Sequence, residues 1–338
     1  MKIIKGITAY ENLLKGIKNK TFRYPTKNEI KFSSGHLLPE PNLYLDLFTN
    51  GKIFTIGSCF AREIELRLIQ KKMNVPAAKF TLPAGEFPHP SPHILNEYNA
   101  GTIFQRVNSA LGIFNYSKDA GIEEIDGGFI DLFLHIHQKP VSLDRLLERR
   151  IEISDLYQNL TDSDVAVITL GLVEAWYDNL HQCYLNKAPS KKTVRDHLNR
   201  YEFHRMDVDD ILRYTYPSVE GILSNQKTKI LLTVSPVPIE ATFTGNDAII
   251  ANYYSKSALR VASQILSENF ERLIYFPSYE IAMSNGSNSF TDDNVHVQAE
   301  TVNTIMKALL EDPKINTIGS EEKNYIDVEA IDRLGKLI

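Results

Sequence analysis

Only two cysteines, Cys59 and Cys183, occur in 338 residues, too few for a disulfide framework. Reduced thiols in a cytosolic protein are the expectation. Long apolar runs are also missing. No stretch approaches the roughly 20 residues that a membrane helix needs, so no membrane span is expected. At the N-terminus, MKIIKGITAYENLLKG interrupts every apolar pair with charged or polar residues, where a signal peptide keeps a continuous apolar segment. The expected compartment is therefore the cytoplasm. There is no excess of basic charge: 37 Lys and Arg stand against 42 Asp and Glu, a net charge of −5, which removes the cationic field that nucleic acid requires of a partner. Neither type of glycine-rich phosphate loop is present, and no repeat, heptad run or low-complexity tract interrupts the chain.

What is present is enough apolar material for a large core, with 43% hydrophobic and 23% charged residues. Residues 1–50, punctuated by Pro25, Pro39 and Pro41, read as an irregular appendage. A domain follows over 51–315, and 316–338 read as a polar tail. Within the domain, KIFTI (52–56) reads as a strand, then AREIELRLIQKK (61–72) as a helix, beginning near Phe60 or Ala61. A helix over about 144–159 leads into the β-branched strand VAVITLG (165–171). The strand KILLTVSPVP (229–238) precedes a helix over about 248–268, and RLIYFPSYEI (272–281) reads as a further strand before a helix over about 297–311. This alternation predicts an α/β fold with a parallel sheet covered by helices on both faces. Residues 177–227, charged and aromatic with one helix over about 207–223, read as a cap-like insertion.

Ligands collect at the carboxyl ends of parallel strands, which draws attention to Ser58 and Cys59 behind the first strand. Gly57 permits a sharp turn, and a helix N-terminus behind it would lower a thiol's pKa and favour an oxyanion. Taken alone, Cys59 reads more readily as a small buried hydrophobe and Ser58 as an ordinary helix cap.

FTIGSCFAREI (54–64) resembles the signature of the GSCFA family, named for this pentapeptide and similar to the SGNH (GDSL-type) hydrolases. TLGLVEAWYD (169–178), LLTVSPVP (231–238), SKSALR (255–260), YFPSYEI (275–281) and DDNVH (292–296) extend the resemblance over most of the chain. It implies a three-layer, flavodoxin-like sheet with the nucleophile in the Gly-x-nucleophile turn. That register places Cys59 at the nucleophile, and a shift of one residue would place Ser58 there.

A nucleophile of this kind needs a base oriented by a carboxylate. Asp293-Asn294-Val295-His296 lies before the last helix, where SGNH-like proteins carry Asp-x-x-His. Asp178-Asn179-Leu180-His181 repeats the spacing inside the insertion, so spacing alone decides nothing. For the oxyanion, the resemblance implies the N–H of Cys59 with a glycine and an Asn, for which Gly101 and Asn99 of Tyr98-Asn99-Ala100-Gly101 are the candidates. The usual Gly-x-Asn-Asp block is altered to Gly171-Leu172-Val173-Glu174. Glu174 and Trp176 are candidate substrate contacts. His135-Ile136-His137, on an apolar run, and the pair His89 and His93 lack the acidic neighbours of a metal set, so no metal or cofactor is expected.

The expected chemistry is ester or thioester cleavage through a covalent acyl-enzyme, on a small-molecule or carbohydrate ester. Resemblance to proteins associated with bacterial surface-polysaccharide synthesis adds a sugar O-acyltransferase using an acyl-thioester donor. The alternative from another class is a non-catalytic carbohydrate-binding or scaffold protein.

Overall fold

The computed structural model describes residues 2–310 apart from 20, 30–31, 34, 40–47, 49–50, 84 and 88–91. His89, part of the N-terminal appendage and the C-terminal tail over 316–338 lie outside the described residues. In chain order the elements are the helix Gly6–Lys18 (α1), the short pair Phe32–Ser33 (β1) and His36–Leu37 (β2), Ile53–Gly57 (β3) and Cys59–Gln70 (α2). Next come Ala100–Ala110 (α3), Ile122–Ile125 (β4), Gly128–Asp131 (β5), Leu143–Tyr157 (α4) and Val165–Leu170 (β6). The middle of the chain holds Glu174–Asp178 (β7), Cys183–Leu185 (β8), Lys191–Asp196 (α5), Tyr201–Arg205 (β9) and Val208–Leu223 (α6). Lys229–Val234 (β10), Ala248–Asn269 (α7), Leu273–Phe276 (β11), Ser278–Met283 (α8) and Ala299–Leu310 (α9) complete it.

Every residue of β3 and β6 is buried, which is why these runs carry no polar alternation. They pair in a parallel four-stranded sheet in the order β11-β10-β6-β3, in which β6 is central and β3 lies at one end, with Gly57 opposite Thr169 and Thr233 opposite Phe276. Side chains of alternate residues leave on opposite faces. Phe54, Ile56, Ala166, Ile168, Ile230 and Leu232 pack into a core with α3, α4, α6 and α7. Ile53, Val165, Val167 and Leu231 pack instead with α2, α8 and α9. Helices on both faces give the three-layer arrangement of a flavodoxin-like fold.

Four expectations require correction. The helix after the first strand starts at Cys59, so the thiol belongs to its first turn. The stretch read as a strand over 272–281 stops at Phe276; Pro277 has no N–H for the ladder, and SYEIAM forms α8. The segment read as a cap contains a second, antiparallel sheet in the order β8-β7-β9, while α6 packs against α3 and α7 as part of the main layers. The 134–137 stretch is irregular, so His135 and His137 do not share a strand face.

Candidate active site

The turn between β3 and α2 is dictated by space. Gly57 has φ +136°, and a Cβ there would lie 2.2 Å from the Thr169 carbonyl oxygen. The turn is pinned on both sides: the Ser58 N–H donates to Thr169 O at 3.1 Å, and the Glu97 N–H donates to Gly57 O at 2.8 Å. Ser58 occupies the N-cap with extended backbone angles, yet its hydroxyl makes no cap bond. That Oγ is fully enclosed and has no hydrogen-bond partner among the described residues. Cys59, one residue on, is half-buried and opens into a cavity of about 700 Å³.

This cavity lies at the carboxyl ends of the parallel strands. Its wall brings together Cys59, Asp293 and His296, although 234 residues separate the thiol from the carboxylate. The His296 Nδ1–H donates to Asp293 Oδ2 at 2.5 Å, which leaves Nε2 with its lone pair. Asp293 Oδ1 also accepts from the Thr291 hydroxyl and the N–H groups of Val295 and His296. The bonds from His296 and Thr291 hold its carboxyl well below the usual carboxylate range. Asn294, at φ +56°, makes the turn tight enough for the carboxylate to reach back to the imidazole. The His296 side chain is 78% exposed on the open side of the cavity, and no hydrogen bond joins it to Cys59 in this state.

Burial pushes the Cys59 thiol up from its ordinary value. The charge of Lys256 and the N–H groups of Phe60 and Cys59 pull it back down, while Glu63 opposes them. Lys256 is fully buried, and its Nζ donates to the carbonyls of Gly171 and Val237, each at 2.6 Å. Its pKa falls to about 7 because burial disfavours the ammonium, with Cys59 as the opposing influence. Tyr98 is fixed at three points. Its carbonyl accepts from the N–H groups of Gly171 and Leu172, its ring lies 4.5 Å from that of His135, and its hydroxyl accepts from the Asn96 amide at 3.0 Å. The phenolic O–H is thereby left to donate into the cavity, and burial followed by the charge of Cys59 raises its pKa. His135 lines the cavity and donates Nδ1–H to Asn186 O at 2.8 Å. His135 and His93 are both shifted down by burial, so both favour the neutral imidazole.

Other expected residues are placed elsewhere. Asn99 is buried and its Oδ1 accepts from the Thr102 N–H, so it caps α3; Gly101 lies against the Tyr184 ring, where a Cβ would come within 2.2 Å. Neither lines the cavity. Glu174 is buried and accepts from Thr242 at 2.8 Å, and Trp176 packs between Phe203 and Phe243. Of these aromatics, Phe243 reaches the cavity wall. Val173 is wholly inside the core, so no side-chain donor replaces the expected Asn at that position. The second Asp-x-x-His is a structural latch: Asp178 is fully buried, takes two bonds from Arg200 and one from His181, and lies at the end of β7.

Lys256 and Tyr98 were missed as site residues. Lys256 had a signal, because it falls among Ala251, Ser255, Leu259 and Ala262 on the buried side of α7, where a lysine requires a reason. Tyr98 had none beyond membership of the Tyr98–Gly101 block. Among the described residues, no group of three or more His, Cys, Asp and Glu side chains could hold a metal ion, and no helix is long and apolar enough to cross a membrane. The family model described as the GSCFA family matches residues 52–309. No curated protein and no solved structure matches the chain.

Proposed function

The chain belongs to the GSCFA family, and for this member we propose acyl transfer through a covalent thioester on Cys59. The observation that carries this reading is the convergence of Cys59 with the Asp293–His296 pair on one cavity wall. Cys59 rather than Ser58 is taken as the nucleophile: both residues line the cavity, but the Ser58 hydroxyl has no accessible surface while Cys59 is half-buried.

In the proposed reaction, His296 Nε2 closes on Sγ in the substrate complex and takes its proton as sulfur attacks an ester or thioester carbonyl. The new C–S bond makes a tetrahedral oxyanion, for which the Cys59 N–H and the Tyr98 hydroxyl, both from residues that line the cavity, are the proposed donors. Collapse breaks the bond to the leaving alcohol or thiol, which departs with the proton from His296. Water, or a sugar hydroxyl, then gives its proton to His296 and attacks the thioester, releasing acid or transferred ester and restoring the thiol. Asp293 holds the imidazole tautomer throughout. The wall formed by Val237, Ile239, Ala241 and Phe243 suits an acyl group, and the carboxylates Glu63 and Glu240 disfavour an anionic one.

Rapid acid quench of the protein with a chromogenic short-chain ester or an acyl-thioester, followed by intact-mass measurement, tests the proposal. The expected adduct is lost in Cys59→Ala and retained in Ser58→Ala. Adding a sugar acceptor separates transfer from hydrolysis. An adduct on Ser58 would shift the nucleophile by one residue. No adduct with either donor would favour a binding protein that retains the fold.

A further inference from the structure

A buried ammonium ordinarily needs a carboxylate, because the water stripped from it must be replaced by something that favours positive charge. Lys256 is fully buried, and among the described residues no carboxylate pairs with it. Two carbonyl oxygens, of Gly171 and Val237, hold Nζ at hydrogen-bond lengths typical of a charged donor. Both residues line the cavity, and Gly171 is packed so closely on Ser58 that an added Cβ would lie 2.9 Å from the serine Cβ. The ammonium is thus braced directly behind the turn that carries Cys59. A simple clamp between two loops would account for the two carbonyl bonds and would leave Cys59 indifferent to the residue at 256.

We propose that Lys256 is the positioning residue that sets the ionisation of Cys59, its buried Nζ, held by the Gly171 and Val237 carbonyls behind the turn, being the counter-charge against which the thiolate develops. This rests on the reading of Cys59 as nucleophile. The other groups facing the thiol do not offer that charge: Glu63, Glu240 and Asp293 are carboxylates, Tyr98 is a phenol, and burial favours the neutral forms of His93 and His135. His296 is tied to Asp293 on the open side. Cys59 and Lys256 each figure among the charges that shift the other, lowering the thiol and raising the amine.

The test is the pH profile of Cys59 alkylation by iodoacetamide, read by peptide mass spectrometry, with buried Cys183 as internal reference. In Lys256→Met the midpoint should move up by about one pH unit, and the rate at pH 7.5 should fall about tenfold. A profile identical to the wild type overturns the inference. Should Lys256→Met fail to fold, the reciprocal measurement uses Cys59→Ala with 13C-labelled lysine. There the Lys256 Cε titration should move to lower pH once the thiol is gone, and an unmoved titration overturns the inference equally. The two proposals fail separately. An acyl adduct with an unmoved profile removes the role of Lys256 and leaves acyl transfer standing. A shifted profile without an adduct removes acyl transfer and leaves the charge coupling standing.

Discussion

Replacing Gly57 by alanine tests whether the turn geometry is forced. The added Cβ would lie 2.2 Å from Thr169 O and 2.7 Å from both its N and its Oγ1, and the two backbone atoms cannot move away without disturbing the β3–β6 ladder. A non-glycine residue at φ +136° costs roughly 1–3 kcal/mol in backbone strain, and parting the strand ends to admit the methyl costs about 1–3 kcal/mol more. The Ser58 N–H···Thr169 O bond lies at the same point, and its loss adds about 1 kcal/mol. Together these predict a loss of about 3–7 kcal/mol, a large part of a typical stability of about 5–15 kcal/mol. Urea unfolding followed by circular dichroism measures it. Gly245→Ala is the control: its φ is +78° with nothing within 4 Å of the new Cβ, so only backbone strain of about 1 kcal/mol is expected. If Gly57→Ala loses less than 1 kcal/mol, or no more than Gly245→Ala, the steric account of the turn is refuted.

The site leads to further expectations. His296→Ala should lower turnover by about 10²–10⁴ with the fold intact, and Asp293→Asn should lower it through the wrong tautomer; equal rates in the variants and the wild type would exclude the pair from the chemistry. His181→Ala, which breaks the matching Asp178 latch, should leave turnover within a factor of about two while lowering the melting temperature, since it removes a bond to a buried carboxylate. Thr242→Val removes a hydroxyl donor from buried Glu174 and should cost about 1–3 kcal/mol in urea unfolding; an unchanged midpoint would show that Glu174 has no need of it.

The central sheet was legible because residues 165–170 and 230–234 are apolar apart from one buried threonine each, Thr169 and Thr233, and are rich in β-branched side chains. The antiparallel sheet was not, because EAWYD and YEFHR mix charges with aromatics and resemble surface chain; their partners are fixed only by folding. Within the site, Ser58, Cys59, Asp293 and His296 could be named from spacing and resemblance, since turn chemistry is local. The oxyanion candidates went astray for a local reason too. Asn99 three residues before Thr102 is a helix-cap pattern, its Oδ1 accepting from the Thr102 N–H, and neither Asn99 nor Gly101 lines the cavity. Lys256 stood out only as a lysine on the apolar side of its helix, and what it and Tyr98 face comes from distant elements, which one-dimensional spacing does not encode.

Trp176 is the sole tryptophan of the chain, and its ring centroid lies 5.6 Å from that of Phe243, whose other side faces the cavity. Intrinsic emission therefore reports from a single known position, one aromatic contact away from any occupant. Titrating unlabelled esters or sugars while watching that emission would reveal binding before any turnover assay exists, and Phe243→Leu would show whether the signal travels through this contact.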